Sequence, residues 1–336
     1  MSPKTRTELK RALELGVSMN IDNLEELERV DQILAELGLH WRREDLPTIG
    51  LRINPQTGSG EIEALSTASA TSKFGFGLAD SGSRSEIVRA YLDRPWLRQI
   101  HVHSGSQGLS LRHAAYGISQ VVALAQEIND RSASQGGSAK QVTRIDIGGG
   151  LAVNFAGDEI TPTFADYRQE LEASIPELFD FDLVTEFGRA LLAKTGTIVT
   201  RVEYVKSAGD RTIAVTHAGV QVATRTAYAP QDWPLRILTF DDLGQPKTSA
   251  EFVVHDVAGP ACFAGDLLAR GRLLPPLESG DFVAIPETGA YYFSNHFSYN
   301  LLPRIPVYGY FGDDEHQYVL IRRGQTTEEV LAEAST

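Results

Sequence analysis

Short apolar runs alternate with amphipathic segments along about the first 190 residues, and this order constrains the fold more than any other feature of the sequence. Such alternation is typical of βα units, which build a parallel sheet or barrel. Each run ends in polar or glycine-rich residues, and since ligand sites of parallel sheets lie at the carboxyl ends of strands, we expect function there. The runs predicted to form strands are 17–21, 48–54, 99–105, 144–150 and 182–188.

Residues 23–37 and 111–129 carry apolar side chains at helical spacing and are predicted to form outer-layer helices. Five parallel strands are fewer than the eight of a closed barrel. An incomplete barrel whose first strands precede Met1 and an open five-stranded sheet are therefore both compatible with the pattern.

The pattern changes from about Gly196 onward. Short β-branched runs separated by Gly, Pro and Asp predict an antiparallel β-sandwich or barrel, and TTEEVLAEA near the carboxyl terminus predicts a closing helix. We expect two domains, an α/β domain over 1–195 and a β domain over 196–336.

Composition excludes several classes of protein. The formal net charge of −13, with acids and bases scattered, argues against a nucleic-acid surface and leaves a soluble enzyme or binding protein as the expectation. The single cysteine, Cys262, excludes an intramolecular disulfide framework and favours the cytoplasm. The amino terminus lacks the apolar region of a signal peptide, and the apolar runs are shorter than the roughly 20 residues of a membrane span, so no membrane association is expected.

His101 and His103 end the third strand run and point to the same side of the sheet. They could pack, bind a metal or cover a flat cofactor ring. No carboxylate or cysteine follows at ligand spacing, so we predict no metal site. The cofactor interpretation gains from Ser106 and from glycines 148–150, because bare backbone can approach a phosphate closely.

Other polar residues follow strand ends or lie in loops. Glu186 and Arg189 could form a salt bridge, or they could separate to hold a pyridine nitrogen and a phosphate. Cys262 lies in a loop-like stretch that ends at Asp266. A lone cysteine is most often an inert buried hydrophobe, whereas loops tend to carry reactive groups.

Taken in order, six segments resemble the diaminopimelate/ornithine/arginine decarboxylase family of pyridoxal-phosphate (PLP) enzymes: HVHSGSQ, DIGGG, EFGR, GPACFAGD, GDFVAIPETGAY and SYN. The resemblance runs across essentially the whole chain. It implies an α/β fold, with an incomplete PLP-binding TIM barrel of the alanine-racemase-like class followed by an antiparallel β domain. It also implies decarboxylation of an amino acid through PLP, in a homodimer.

The resemblance assigns a role to each matching residue. His103 would stack on the cofactor ring and Glu186 would pair with the ring nitrogen. Cys262 would be the general acid that returns a proton after carbon dioxide leaves, delivered from the partner subunit. Asp266 and Asn300 would line the substrate side. The phosphate would be held by Ser106, Gly148, Gly149, Gly150, Arg189 and Tyr291.

The family's cofactor lysine lies on the first barrel strand, which we expect to precede Met1. A truncated or misplaced start, a split enzyme with a separate N-terminal fragment, and a catalytically silent partner or regulator of a full-length decarboxylase would each explain this. We favour a truncated or misplaced start. A protein without these strands would expose the apolar interior of its barrel and two sheet edges, yet the remaining site residues match the family pattern. A racemase shares the barrel, but the GPAC and GAY segments resemble the decarboxylases.

Two substitutions depart from the family pattern. Phe187 replaces the proline of the Glu-Pro-Gly-Arg motif, and Phe263 takes the acidic position after the cysteine. In relatives that acidic side chain helps to bind the distal ammonium of the substrate. Phe263 therefore predicts a substrate other than a simple diamino acid.

Overall fold

The structure is a computed structural model that describes residues 3–38, 46–58, 67–312 and 317–335. The chain divides into two compact units. We call residues 1–154 and 159–190 the parallel-sheet unit, and residues 155–158 and 191–336 the C-terminal unit. The predicted domain boundary after residue 195 stays a prediction.

All strand pairs of the parallel-sheet unit are parallel, in the order β1-β2-β4-β5-β6 with β3 beside β2. The sheet is curled into a half-barrel, and the predicted α/β class is confirmed. Each predicted strand run contains one of the strands β1, β2, β4, β5 and β6, whereas the two-residue β3 was not predicted. The strands are β1 (Met19–Ile21), β2 (Ile49–Asn54), β3 (Phe76–Gly77), β4 (Leu97–Val102), β5 (Arg144–Asp146) and β6 (Asp182–Val184).

The helices of this unit begin at residues that cap their first turn. The Thr5 and Thr163 side chains form capping boxes, and Asn23 and Ser110 accept hydrogen bonds from backbone N–H groups of the turn they precede. Both predicted helices are present, and the second extends further, to Ser134. The helices are α1 (Arg6–Glu14), α2 (Leu24–Glu36), α3 (Ser83–Leu92), α4 (Leu111–Ser134), α5 (Phe164–Ser174) and the short α6 (Arg189–Leu192).

The core of this unit lies between the sheet and the helices. Leu51, Ile100 and Ile145 are register partners on β2, β4 and β5 and are fully buried against this layer. Burial of each such side chain contributes about 1.5–3 kcal/mol. Because side chains alternate along a strand, the neighbouring residues form the opposite, polar face of the sheet.

The C-terminal unit is built on a six-stranded sheet in the order β11-β10-β8-β7-β12-β9. Its pairs are antiparallel as predicted, except that β8 and β10 are parallel. β11, which contains Arg270-Gly271-Arg272, and β13 were missed because charged or glycine residues interrupt their apolar pattern. The strands are β7 (Ile198–Ala208), β8 (Arg211–Thr216), β9 (Leu238–Phe240), β10 (Val253–Ala258), β11 (Leu267–Leu274), β12 (Phe282–Ile285), and the hairpin β13 (Val307–Phe311) and β14 (Gln317–Arg322).

Two α-helices complete this unit, α7 (Thr224–Tyr228) and the predicted closing helix α8 (Thr327–Ala334), which begins at a Thr326 capping box. Among the described residues, no helix combines the length and apolar character that a membrane crossing requires. Short 3-10 turns are formed by Pro176–Asp180, Ala193–Thr195, Phe293–Asn295 and Tyr299–Leu301.

Candidate active site

The polar face of the parallel sheet is arranged in layers by strand register. Gln99 of β4 is paired with Arg144 of β5. Two residues further along, Arg52 of β2, His101 of β4 and Asp146 of β5 are register partners and point to the same side. All three are buried, with exposed fractions of 6%, 2% and 3%. This charged row lies directly before the carboxyl ends of the strands, where the predicted site residues begin.

His103 follows β4 and is held in a neutral state. Its Nδ1 accepts a hydrogen bond from the Gly149 N–H at 3.0 Å, so the ring proton is placed on Nε2. Burial lowers the pKa of His103 to about 4, and the positive charges of Arg52 and His101 act in the same direction. The ring therefore offers an uncharged flat face at neutral pH, as expected of a residue that stacks on a cofactor.

Glycines 148–150 form a loop that other residues could not form. Gly148 and Gly150 have φ values of +68° and +100°. A Cβ atom would lie 2.4 Å from the Gly105 carbonyl oxygen if added at Gly150, and 2.7 Å from the Glu186 carbonyl oxygen if added at Gly149. The main chain thus passes close to two neighbouring loops, and without side chains its backbone can also approach an anion closely. The N–H groups of Gly148 and Gly149 donate to Asp146 Oδ1 and His103 Nδ1.

Ser106 and Arg189 meet beside this loop. The Arg189 guanidinium is buried, with the residue 5% exposed, and its Nη2 donates a hydrogen bond to Ser106 Oγ at 2.9 Å. The structure therefore brings together a hydroxyl and a guanidinium that the sequence analysis placed at one phosphate. Such a pair suits a phosphate, because arginine binds it through charge-assisted hydrogen bonds.

Glu186 follows β6, and its carboxylate is half-exposed. Its Oε2 lies 3.5 Å from Nε2 of the buried His101. The contact with His101 lowers the pKa of Glu186, and the positive charge of Arg52 adds to this effect. The carboxylate is therefore ionised at neutral pH and can stabilise a proton on a ring nitrogen.

His101, Asp146 and Glu186 form a cluster that the sequence analysis missed. One ligand atom from each residue lies within 4.8 Å of the other two. The two carboxylates lie far from His101 in the sequence, because Asp146 is on β5 and Glu186 follows β6, the next two strands of the sheet. Strand register is the signal that could have found them. Histidine and carboxylates are also ligand types for divalent metals.

In the C-terminal unit, Cys262 is an exposed free cysteine whose backbone N–H donates to Asn300 Oδ1 at 2.9 Å. Asp266 is 3% exposed, and its carboxylate accepts hydrogen bonds from the backbone N–H groups of Val220 and Ala261. Burial raises the pKa of Asp266, and these hydrogen bonds oppose the shift. Asp266 thus stabilises the loop that carries the cysteine; its contact with substrate stays a prediction.

Phe263 lies in a cluster of aromatic side chains next to the cysteine. Its ring stacks on Tyr228, with centroids 5.2 Å apart, and contacts Tyr299 at 5.8 Å. Phe297 contacts both tyrosines. The surface beside Cys262 is therefore aromatic in this chain.

Tyr291 has a positive φ of +70°, and the Arg225 guanidinium lies 4.6 Å from its ring centroid. Glu287, which precedes it, is 4% exposed and accepts hydrogen bonds from Lys194 at 3.2 Å and Arg236 at 2.9 Å. This buried ionic network was not predicted. It lies at the start of the loop that carries Tyr291.

Residues 2–193 match the family model described as "Pyridoxal-dependent decarboxylase, pyridoxal binding domain". The chain belongs to this family. A diaminopimelate decarboxylase of Pseudomonas fluorescens is 32% identical over 332 residues, which are 98% of this chain and 73% of the relative. A diaminopimelate decarboxylase of Pseudomonas aeruginosa is 30% identical over 330 residues, again 73% of its length.

Solved structures of the family show the same fold. The diaminopimelate decarboxylase of Helicobacter pylori complexed with L-lysine is 26% identical with a TM-score of 0.79, over 99% of this chain and 77% of that chain. The M. jannaschii diaminopimelate decarboxylase, at 23% identity, has a TM-score of 0.80 over 100% of this chain and 73% of that one, which supports the fold alone. The recognised family and fold class are confirmed.

As a member of the pyridoxal-dependent decarboxylase family, the chain is an amino-acid decarboxylase with PLP as its cofactor. The parallel-sheet unit fits this group. Its glycine loop leaves no room for side chains, its Ser106–Arg189 pair suits a phosphate, and its Glu186 is ionised. The role of each residue stays a prediction.

Proposed function

We propose that the parallel-sheet unit holds PLP for the decarboxylation of an amino acid that is not a simple diamino acid. When bound, PLP withdraws electrons from the carbon that loses carbon dioxide. The observation that carries this proposal is the glycine loop at 148–150, which is closed to side chains and linked by a hydrogen bond to His103.

Each residue of the site has a distinct task. The glycine loop, Ser106 and Arg189 hold the phosphate, together with Tyr291. The neutral His103 ring covers one face of the cofactor. The ionised Glu186 carboxylate keeps a proton on the pyridine nitrogen, because an adjacent negative charge favours the protonated form.

Cys262 delivers the proton that replaces carbon dioxide. An exposed thiol can reach a substrate held by another subunit, and we propose that two copies of the chain form a homodimer with shared active sites. Mixing Cys262→Ala and Glu186→Gln chains, each inactive alone, is expected to restore about a quarter of wild-type activity, because half of the dimers regain one intact site of two. No recovery after subunit exchange would contradict sharing.

The substrate side is lined by Asp266 and Asn300 and by the aromatic cluster around Phe263. The Asp266 carboxylate is buried and bonded to the backbone of its own loop, and an aromatic surface provides no countercharge for a distal ammonium group, so we propose that the substrate lacks one. A panel of L-amino acids, assayed by carbon dioxide release, tests this. Preference for an apolar or aromatic side chain is expected, and preference for diaminopimelate, lysine or ornithine would contradict it.

The half-barrel supports a further partner. Among the described residues, β1 and β6 each pair with a single strand, so both sheet edges are open. We propose that a polypeptide segment carrying the cofactor lysine, either an N-terminal extension of this chain or a separate N-terminal fragment, completes the barrel in the cytoplasm. Parallel strand edges with free backbone groups favour such an addition.

Borohydride reduction with PLP, followed by mass spectrometry, tests the proposed function. With the N-terminal segment of a relative co-expressed, we expect one labelled lysine on that segment and release of carbon dioxide. Specific labelling of a lysine within residues 1–336 would contradict the need for such a segment. Absence of both labelling and turnover in the complex would favour a catalytically silent partner.

A further inference from the structure

His101 is the most deeply buried polar side chain of the charged row on the parallel sheet. It is 2% exposed and lies between Arg52 and Asp146 in strand register. Neither ring nitrogen has an ordinary hydrogen bond to the described residues, although Nε2 lies 3.5 Å from Glu186 Oε2. Buried polar atoms of this kind are rare and require an explanation.

Asp146, on the neighbouring strand, is firmly fixed. Its Oδ1 accepts a hydrogen bond from the Gly148 N–H at 3.0 Å, and its Oδ2 accepts one from Asn20 Nδ2 at 3.1 Å. Gln99 in turn donates to Asn20 Oδ1 at 2.6 Å. A ring nitrogen of His101 and one oxygen of each flanking carboxylate, Asp146 and Glu186, lie within 4.8 Å of one another.

Glu186 differs from Asp146 in its surroundings. Asp146 is 3% exposed and bonded at both oxygens, whereas the Glu186 side chain is 49% exposed and contacts the cluster through His101. A half-exposed glutamate samples several rotamers unless a neighbour restrains it. His101 is positioned to provide that restraint, because its strand fixes the ring.

We propose that His101 is a positioning residue that bridges Asp146 and Glu186 and holds the Glu186 carboxylate where it meets the cofactor's ring nitrogen. This inference rests on the proposed role of Glu186. Groups that orient a functional side chain commonly change affinity or activity by about 10–100-fold when removed. The charged groups facing His101 are Arg52, Asp146 and Glu186, with His103 in the next layer.

A divalent cation is the competing occupant of the same three side chains. The 3.5 Å approach of His101 Nε2 to Glu186 Oε2 favours the positioning role. Titration of the full chain with zinc chloride distinguishes the positioning role of His101 from a metal site. One zinc ion bound per chain, and lost in His101→Leu, would make His101 a ligand and overturn the proposal.

Pyridoxamine 5′-phosphate is the probe for the bridge, because it has no aldehyde and binds without any lysine. Its ultraviolet absorption reports the protonation of the pyridine nitrogen. Bound to the wild-type chain, the nitrogen is expected to stay protonated to higher pH than in free solution. His101→Leu is expected to lower this transition by about one pH unit and to weaken binding about tenfold. His101→Gln, which retains a donor, is expected to recover most of both effects.

His217→Gln is the matched control, because His217 is an exposed histidine of the C-terminal unit that contacts Glu203 at 3.1 Å. This variant is expected to bind pyridoxamine 5′-phosphate with the affinity and the transition pH of the wild-type chain. An unchanged transition in His101→Leu would overturn the positioning role. Failure of the wild-type chain to bind the probe or to shift its transition would instead contradict the proposed function of Glu186, so the two failures are distinguishable.

Discussion

The two regions that carry the site residues are built in different ways. In the parallel-sheet unit, the glycine loop at 148–150 and the neutral His103 are fixed by backbone contacts and strand register. In the C-terminal unit, Cys262 is exposed on a loop, beside aromatic side chains that contact one another. A rigid backbone region suits a cofactor common to a family, whereas a loop surface can change its substrate without changing the fold.

Replacement of the cysteine gives the largest expected effect. In the complex with the lysine-bearing segment, Cys262→Ala should lower kcat by about 10²–10⁴-fold, the usual contribution of a positioned general acid. PLP affinity, measured by absorbance titration, should not change, because Cys262 is not among the residues proposed to hold the cofactor. A parallel loss of PLP affinity would break the distinction between the two regions.

A single methyl group added to the glycine loop should lower the affinity of the parallel-sheet unit for PLP. Gly150→Ala places a Cβ 2.4 Å from the Gly105 carbonyl oxygen at a positive φ, so the loop must move, and PLP affinity should fall about 100-fold. Gly188→Ala is the matched control, since an added Cβ there meets no atom within 4 Å. Equal losses in both variants would contradict a tightly constrained loop.

Acidification should weaken the parallel-sheet unit. The pKa of His103 in the folded state, about 4, lies below the ordinary value of 6.5, so the unfolded chain binds more protons between these values. The contribution of His103 to the free energy of unfolding is complete above pH 6.5 and is lost as the pH decreases toward 4. The free energy of unfolding should therefore fall by about 2 kcal/mol between pH 7.5 and pH 5. Urea unfolding at the two pH values measures it. In the His103→Phe variant, the free energy of unfolding should no longer show this loss of about 2 kcal/mol. If the variant shows the same pH dependence as the wild-type chain, His103 is not buried in its neutral form.

The smallest effect concerns substrate choice. Phe263→Asp should raise kcat/KM for a diamino acid about tenfold relative to an apolar amino acid, because it adds a countercharge beside the cysteine. PLP affinity should remain as in wild type. An unchanged preference would separate the aromatic cluster from the substrate.

The sequence predicted the fold well where patterns are local. The five strand runs and two helices were found because alternating and helical spacing reflect burial on one face. β11 was missed because Arg270-Gly271-Arg272 interrupts its apolar run, although the backbone pairs with β10. Pairing between distant strands is a tertiary effect that spacing along the chain does not encode.

The candidate site was predicted through motifs, and its supporting groups were not. His103 and the glycine loop were recognised, and the structure joins them by a hydrogen bond. Arg52 and Asp146 were not recognised, because single polar residues inside strands carry no local signal. They become meaningful only when register places both beside His101.

Hydrogen exchange of the full chain with and without PLP, followed by mass spectrometry, tests the central claim most directly. Bound PLP is expected to slow exchange in peptides that cover 103–107, 147–151 and 185–190, with a further effect around Tyr291. Peptides of the cysteine loop at 259–266 are expected to exchange as before. Unchanged exchange at 147–151, or protection confined to the C-terminal unit, would show that the parallel-sheet unit does not hold the cofactor.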